Sequence, residues 1–229
     1  EDGQVILLSE DGTPKSTQPT IQDAINASGE GDTVRVTNGT YNGFTVDENV
    51  TITGAGNNVL IDGQVEVTHD DATLRNVTWN DSYTGGGPLL NVTGDGVRVA
   101  SIALDNVPTN HGTSVAIRGD NVVLTESNLT RAGNEGYALI HLYNGPNSVE
   151  ATGSPTGVTI TDNVIRGGDI GVFLQNSQSV TIKNNDIEPA ASDDDAIWVT
   201  GVAYGGLPDG ATLNIQDNGE LPYVDNATN

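Results

Sequence analysis

The densest group of chemically capable side chains is the acidic run Asp193, Asp194 and Asp195, preceded by Asp169. Carboxylates gathered in this way could bind a hard cation, and an oxygen-only cluster selects calcium over zinc or iron. The run also reads as a solvated acidic turn. Two carboxyl groups facing one another could instead hydrolyse a glycosidic bond, one acting as acid and the other activating water. Elimination from an acidic sugar needs a different set: a cation to hold the sugar carboxylate and a positioned Arg or Lys to take the adjacent proton. Arg166 is the nearest cation in sequence, and it reads equally as a countercharge beside a turn. Catalytic residues therefore stay unassigned. His69, His111 and His141 are too scattered for a metal triad, and His141, within an apolar run, reads as a strand residue facing outward. Tyr137, Tyr143, Phe173, Trp198 and Tyr204 gather around two insertions, where outward rings could stack on sugars. Core packing is expected for at least one of Phe173 and Trp198.

Composition narrows the classes further. The 229 residues carry 8 Lys and Arg against 31 Asp and Glu, a net charge of −23, which disfavours nucleic acid and anionic membrane as partners. With only two lysines and no cysteine, the balance resembles that of haloarchaeal proteins and their viruses, whose self-repulsion is screened in molar salt. Lacking cysteine, the chain has no disulfide framework, thiolate metal site or cysteine nucleophile. No 18-residue apolar run predicts a membrane span. The absence of Met and the opening Glu1-Asp2 predict a processed, exported chain at a cell or virion surface. Asn26, Asn38, Asn49, Asn76, Asn80, Asn91, Asn128 and Asn226 fit the N-x-[ST] glycosylation pattern, and partial occupancy is expected.

The elements that must position these residues come from an internal repeat. A V-x-I-type strand recurs at 50–52, 72–74, 97–99, 122–124, 158–160, 180–182 and 211–213, and seven residues into the five middle units stand Trp79, Leu104, Leu129, Ile165 and Ile187. Other strands precede most units, at 88–92, 114–117, 138–142, 171–174 and 196–199. Coils of about 22 residues with short strands and Asn/Gly/Asp turns predict an all-β fold, a parallel β-helix in which each coil pairs with the next. A polar ladder of Ser127, Asn163, Asn185 and Gln216 is expected to satisfy a tight turn. Asp169 and Asp194 then precede successive strands, about one coil apart. Insertions fall at 143–157 and 201–210.

Residues 20–27 form the only clear helix, with Ile21, Ala24 and Ile25 on one face and Gly29 as its stop, suited to plug the first coil. Together with Gly31-Asp32-Thr33-Val34-Arg35-Val36, Asn38-Gly39-Thr40-Tyr41 and Val50-Thr51-Ile52-Thr53-Gly54, this stretch resembles the pectate-lyase-like superfamily of right-handed parallel β-helix proteins. The resemblance implies about seven coils over residues 20–219, between an extended segment, 1–19, and a tail, 220–229. Its members range from polysaccharide lyases and galacturonidases to viral tail spikes, adhesins and catalytically silent modules. Asp193-Asp194-Asp195-Ala196-Ile197 looks like the double-aspartate segment of galacturonidases. The Asn-Thr-Asp, Gly-His-Gly and Arg-Ile-Lys segments of that family have no counterpart at the matching places.

The expected function is a non-enzymatic structural or adhesive surface protein. A calcium-dependent polysaccharide lyase or other polysaccharide-acting enzyme, and a carbohydrate-binding module, stand as the alternatives. The partners expected are copies of the chain, other surface proteins or polysaccharide. Val5, Ile6, Leu7 and Leu8 form an apolar strand that could be donated to the open last coil of a neighbouring copy, or could pack along its own first coil.

Overall fold

The computed structural model describes residues 3–79, 87–107, 112–131, 138–143, 155–190, 195–200, 212–218 and 223–225. Its architecture is all-β, with mostly parallel strands in two sheets. Each of the seven V-x-I units supplies one strand of a ten-stranded sheet, Thr51–Gly54, Thr73–Arg75, Arg98–Ala100, Val123–Thr125, Thr159–Thr161, Val180–Lys183 and Leu213–Gln216; with Thr33–Val36 before them they run parallel, each paired with the next. Val5–Leu8 joins this sheet antiparallel to Thr33–Val36, and Pro14–Gln18 pairs on its other side.

The second sheet contains two parallel ladders. They share the long strands Gly39–Val46 and Val59–Val67, which pair with each other. The first half of Val59–Val67 pairs with Thr78–Trp79 and its second half with Leu90–Val92. From there one ladder continues through Ala103–Val107, Asn128–Arg131, Val164–Arg166 and Asp186–Glu188. The other continues through Thr113–Ile117, Ala138–Leu142, Ile170–Gln175, Asp195–Thr200 and Tyr223–Asp225. The chain thus visits three ladders in turn, an arrangement consistent with a β-helix-like fold.

Register explains the core. Strand side chains alternate with period two, so in-register stacking turns each inward position into a continuous apolar column. Ile61, Trp79, Leu104, Leu129, Ile165 and Ile187 form one such column and are all buried. Ile52, Leu74, Val99, Leu124, Ile160 and Ile182 form another. The last repeat departs from the expected alignment by two residues, since Val180 pairs with Leu213 and Ile182 with Ile215. A slip of two leaves every side chain on its expected face. It moves Gln216 beside Lys183 and brings Asn218, not Gln216, into the polar ladder.

That ladder sits at a tight turn after the ten-stranded sheet. Asn76, Ser101, Glu126, Asp162, Asn184 and Asp217 take left-handed conformations there, with φ between 52° and 59°. The next residue carries the stabilising group. Asn163 Nδ2 donates to the Leu124 carbonyl, Asn185 Nδ2 to that of Ile160, and Asn218 Nδ2 to that of Ile182. Each side-chain oxygen in turn accepts the N–H of its predecessor, from Ser127 to Asn163, Asn163 to Asn185 and Asn185 to Asn218.

The helix Ile21–Asn26 begins at Thr20, whose hydroxyl accepts the Asp23 N–H at 3.0 Å. Ile21, Ala24 and Ile25 are buried in the core, and Gln22 both accepts the Thr45 N–H and donates to the Thr45 carbonyl. Nearby, burial alone would raise the Asp32 carboxyl. Lys15 and the Gly29 N–H outweigh it and hold that carboxyl below the usual range.

Candidate functional site

The outward side of the ladder through Ala138–Leu142 gathers four rings, those of His141, Tyr143, Phe173 and Trp198. Parallel pairing aligns Glu66, Asn91, Ala116, His141, Phe173 and Trp198 in one column. Strand spacing of about 4.8 Å is also a stacking distance for rings, so register alone brings them together. His141 stacks on Phe173 at 4.5 Å and Phe173 on Trp198 at 4.8 Å between ring centres. Tyr143, two residues along, stacks on His141 at 4.1 Å, and the Arg118 guanidinium lies 4.5 Å from the Tyr143 ring centre while donating to its hydroxyl.

These rings are largely enclosed. Phe173 is 2% exposed and packs with Ala138 and Ile170 in an apolar cluster separate from the coil interior, with Trp198 half-buried against it. His141 keeps the outward place expected of it yet is only 8% exposed, its Nε2 lying 3.3 Å from Gln175 Oε1. Burial pushes its pKa down from 6.5 to about 4. The Gln175 hydrogen bond opposes that shift, and nearby Arg118 adds to it. The imidazole is therefore neutral at physiological pH and could accept a proton only weakly.

Asp169 and Asp195 lie beside this column. Asp169 is half-buried, Ile170 pairs with Asp195, and the Asp195 N–H donates to the Asp169 carbonyl at 3.1 Å. Asp195 is thus the first residue of a strand; Asp193 and Asp194 lie outside the described residues. Among the described residues no group of three or more His, Asp or Glu is arranged to hold a metal ion. Calcium takes six to eight oxygens, so the expected calcium site rests largely on residues beyond the described set.

The cation near Asp169 is Arg131. Its guanidinium is lowered from its usual range by burial, an effect the Asp169 charge opposes, and the residue is 5% exposed. Arg166, the nearest cation in sequence, is instead exposed and paired with Asp186 and Glu188. Aligning the repeats could have found Arg131: it stands two residues after Leu129, as Gly167 does after Ile165. A Cβ on Gly167 would lie 2.3 Å from the Arg131 carbonyl oxygen, so this position needs glycine for the close approach of the two backbones.

Other candidate residues are dispersed. Among the glycosylation sequons, Asn26, Asn76 and Asn128 are exposed, while Asn38, Asn49 and Asn91 are half-buried, and Asn91 lies mid-strand. Asn80 and Asn226 fall outside the described residues, as do His111, Tyr137 and Tyr204. Val5–Leu8 has both edges engaged within its own chain, with Val5 and Leu7 buried, so donating it to a neighbour would break two ladders. Compared with protein-family models, curated proteins and solved structures, the chain matches none.

Proposed function

We propose that the chain is an extracellular, non-enzymatic structural or adhesive protein of a halophilic cell surface, filament or virus. In this reading it is a right-handed parallel β-helix of about seven coils, closed at its N-terminal end by residues 20–27. The observation that carries it is the state of the cations near the acidic turn. Elimination needs a reachable Arg or Lys, whereas Arg131 is 5% exposed beside Asp169 and Arg166 is occupied by Asp186 and Glu188. The neighbouring rings likewise pack on one another, leaving Trp198 as a half-buried end. The test is incubation of the purified chain with polygalacturonate and calcium while following the ultraviolet absorbance of unsaturated products. No product is expected, and sustained turnover would overturn the reading.

The Arg131 and Asp169 pair favours one second reading, a calcium-dependent polysaccharide lyase, in which Arg131 would be the base. Calcium binding seen by calorimetry, together with product formation abolished in Arg131→Lys, would establish it. Without either signal, Arg131 is the countercharge of Asp169.

A further inference from the structure

The outward face of the ten-stranded sheet differs in charge from the rest of the molecule. Its eight mutually parallel strands contain no Asp or Glu, although the chain has 31 such residues. They carry Arg35, Arg75, Arg98 and Lys183, half of all the cations. None of these four forms an ion pair among the described residues. Three exposed guanidinium groups gathered on one sheet, with no ion pair among the described residues, point to a countercharge supplied from outside. Arg75 and Arg98 are exposed on adjacent strands and line a shallow cleft of about 380 Å³ with Thr51, Thr73, Ser101 and one carboxylate, Glu126.

A complementary ridge stands on the same chain. Asp70, Asp95 and Asp120 repeat at the turn that enters this sheet, Asp95 only three residues before Arg98. Each is fixed by the coil that follows: Asp95 N–H donates to Asp70 Oδ1 at 2.8 Å, Asp120 N–H to Asp95 Oδ1 at 2.7 Å and Thr156 N–H to Asp120 Oδ1 at 2.9 Å. The ridge is therefore a rigid row of carboxylates at the coil spacing of about 4.8 Å; the two arginines are diagonal neighbours, Arg98 opposite Thr73 and Arg75 opposite Ala100.

We propose that the chain forms a two-fold dimer through this face, the carboxylate ridge of each copy entering the Arg75 and Arg98 cleft of the other. Ridge and cleft neighbour each other where the chain enters this sheet, so one patch supplies both halves of a self-complementary contact. Direct contact also suits an acidic protein in molar salt, where charges act over only about 3 Å. The proposal deepens the structural reading above and rests on it.

The experiment is sedimentation in molar potassium chloride across a concentration series. Wild type is expected to dimerise. Arg75→Glu with Arg98→Glu should raise the dimer dissociation constant about tenfold or more. Asp95→Asn with Asp120→Asn, which keeps the Oδ1 acceptors of the ridge and removes its charge, should act in the same direction. Unchanged melting of both variants shows that the fold is intact. A wild-type monomer, or a dimer indifferent to both pairs of substitutions, overturns the proposal. So does a monomer retained on a sulfated-dextran column through Arg75 and Arg98, which assigns the face to a polyanionic glycan. Polygalacturonate turnover would defeat the structural reading without altering the sedimentation result.

Discussion

His141 shows how one buried ring ties the outer column to pH. The unfolded chain takes up a proton on this imidazole near pH 6.5, and the folded chain does so only near 4. Below 6.5 the unfolded state therefore binds more protons, and stability falls as pH drops from 6.5 to about 4, then levels off below both values. The shift corresponds to roughly 3–4 kcal/mol, because each pKa unit is worth about 1.4 kcal/mol. Phenylalanine in its place would continue the stack from Tyr143 to Phe173 without a titrating group. Urea denaturation of wild type and His141→Phe from pH 7 to about 4 should thus diverge, with the wild type losing more. Parallel pH profiles would show that His141 does not carry the dependence.

The turn that follows the ten-stranded sheet depends on amides acting in series. Asn185 donates to the Ile160 and Lys183 carbonyls and accepts from Asn163, while its own N–H is held by Asn218. Alanine there would orphan the buried Asn163 N–H and take an amide donor from the Ile160 and Lys183 carbonyls, and an unsatisfied buried group costs about 1–3 kcal/mol. Asn185→Ala should therefore lower stability by about 2–4 kcal/mol in denaturant unfolding, whereas an exposed change such as Asn184→Ser should cost less. Equal effects would remove the ladder from the account. The ladder was largely legible in the sequence, because Ser127, Asn163 and Asn185 fall five residues into well-formed repeats. Asn218 was not, since Ala211-Thr212-Leu213 imitates the V-x-I pattern two residues ahead of the strand that pairs. Tyr223–Asp225 escaped for a related reason: a three-residue strand has too little pattern to signal its pairing with Asp195–Thr200. Arg131 was hidden because the partner of Asp169 is fixed by stacking between coils, which proximity in sequence does not reveal.

At the scale of the whole molecule, stacking multiplies charge as readily as it multiplies apolar contact. The pairing that aligns Leu74, Val99 and Leu124 inside also aligns Asp70, Asp95 and Asp120 outside, one coil apart. Two carboxylates about 4.8 Å apart repel by about 1 kcal/mol in water, and the short screening length of molar salt removes most of this. With a net charge of −23, melting temperature should rise steeply from dilute buffer to molar potassium chloride. A local probe separates column repulsion from the overall charge. Asp95→Asn keeps the Oδ1 acceptor for Asp120 and relieves repulsion with both neighbours. Measured in solution dilute enough for monomers, this variant should melt above wild type in low salt and with it in molar salt. A constant offset at every salt concentration would mean that Asp95 acts through local bonding. A salt-independent wild-type melting temperature would remove the halophilic premise itself.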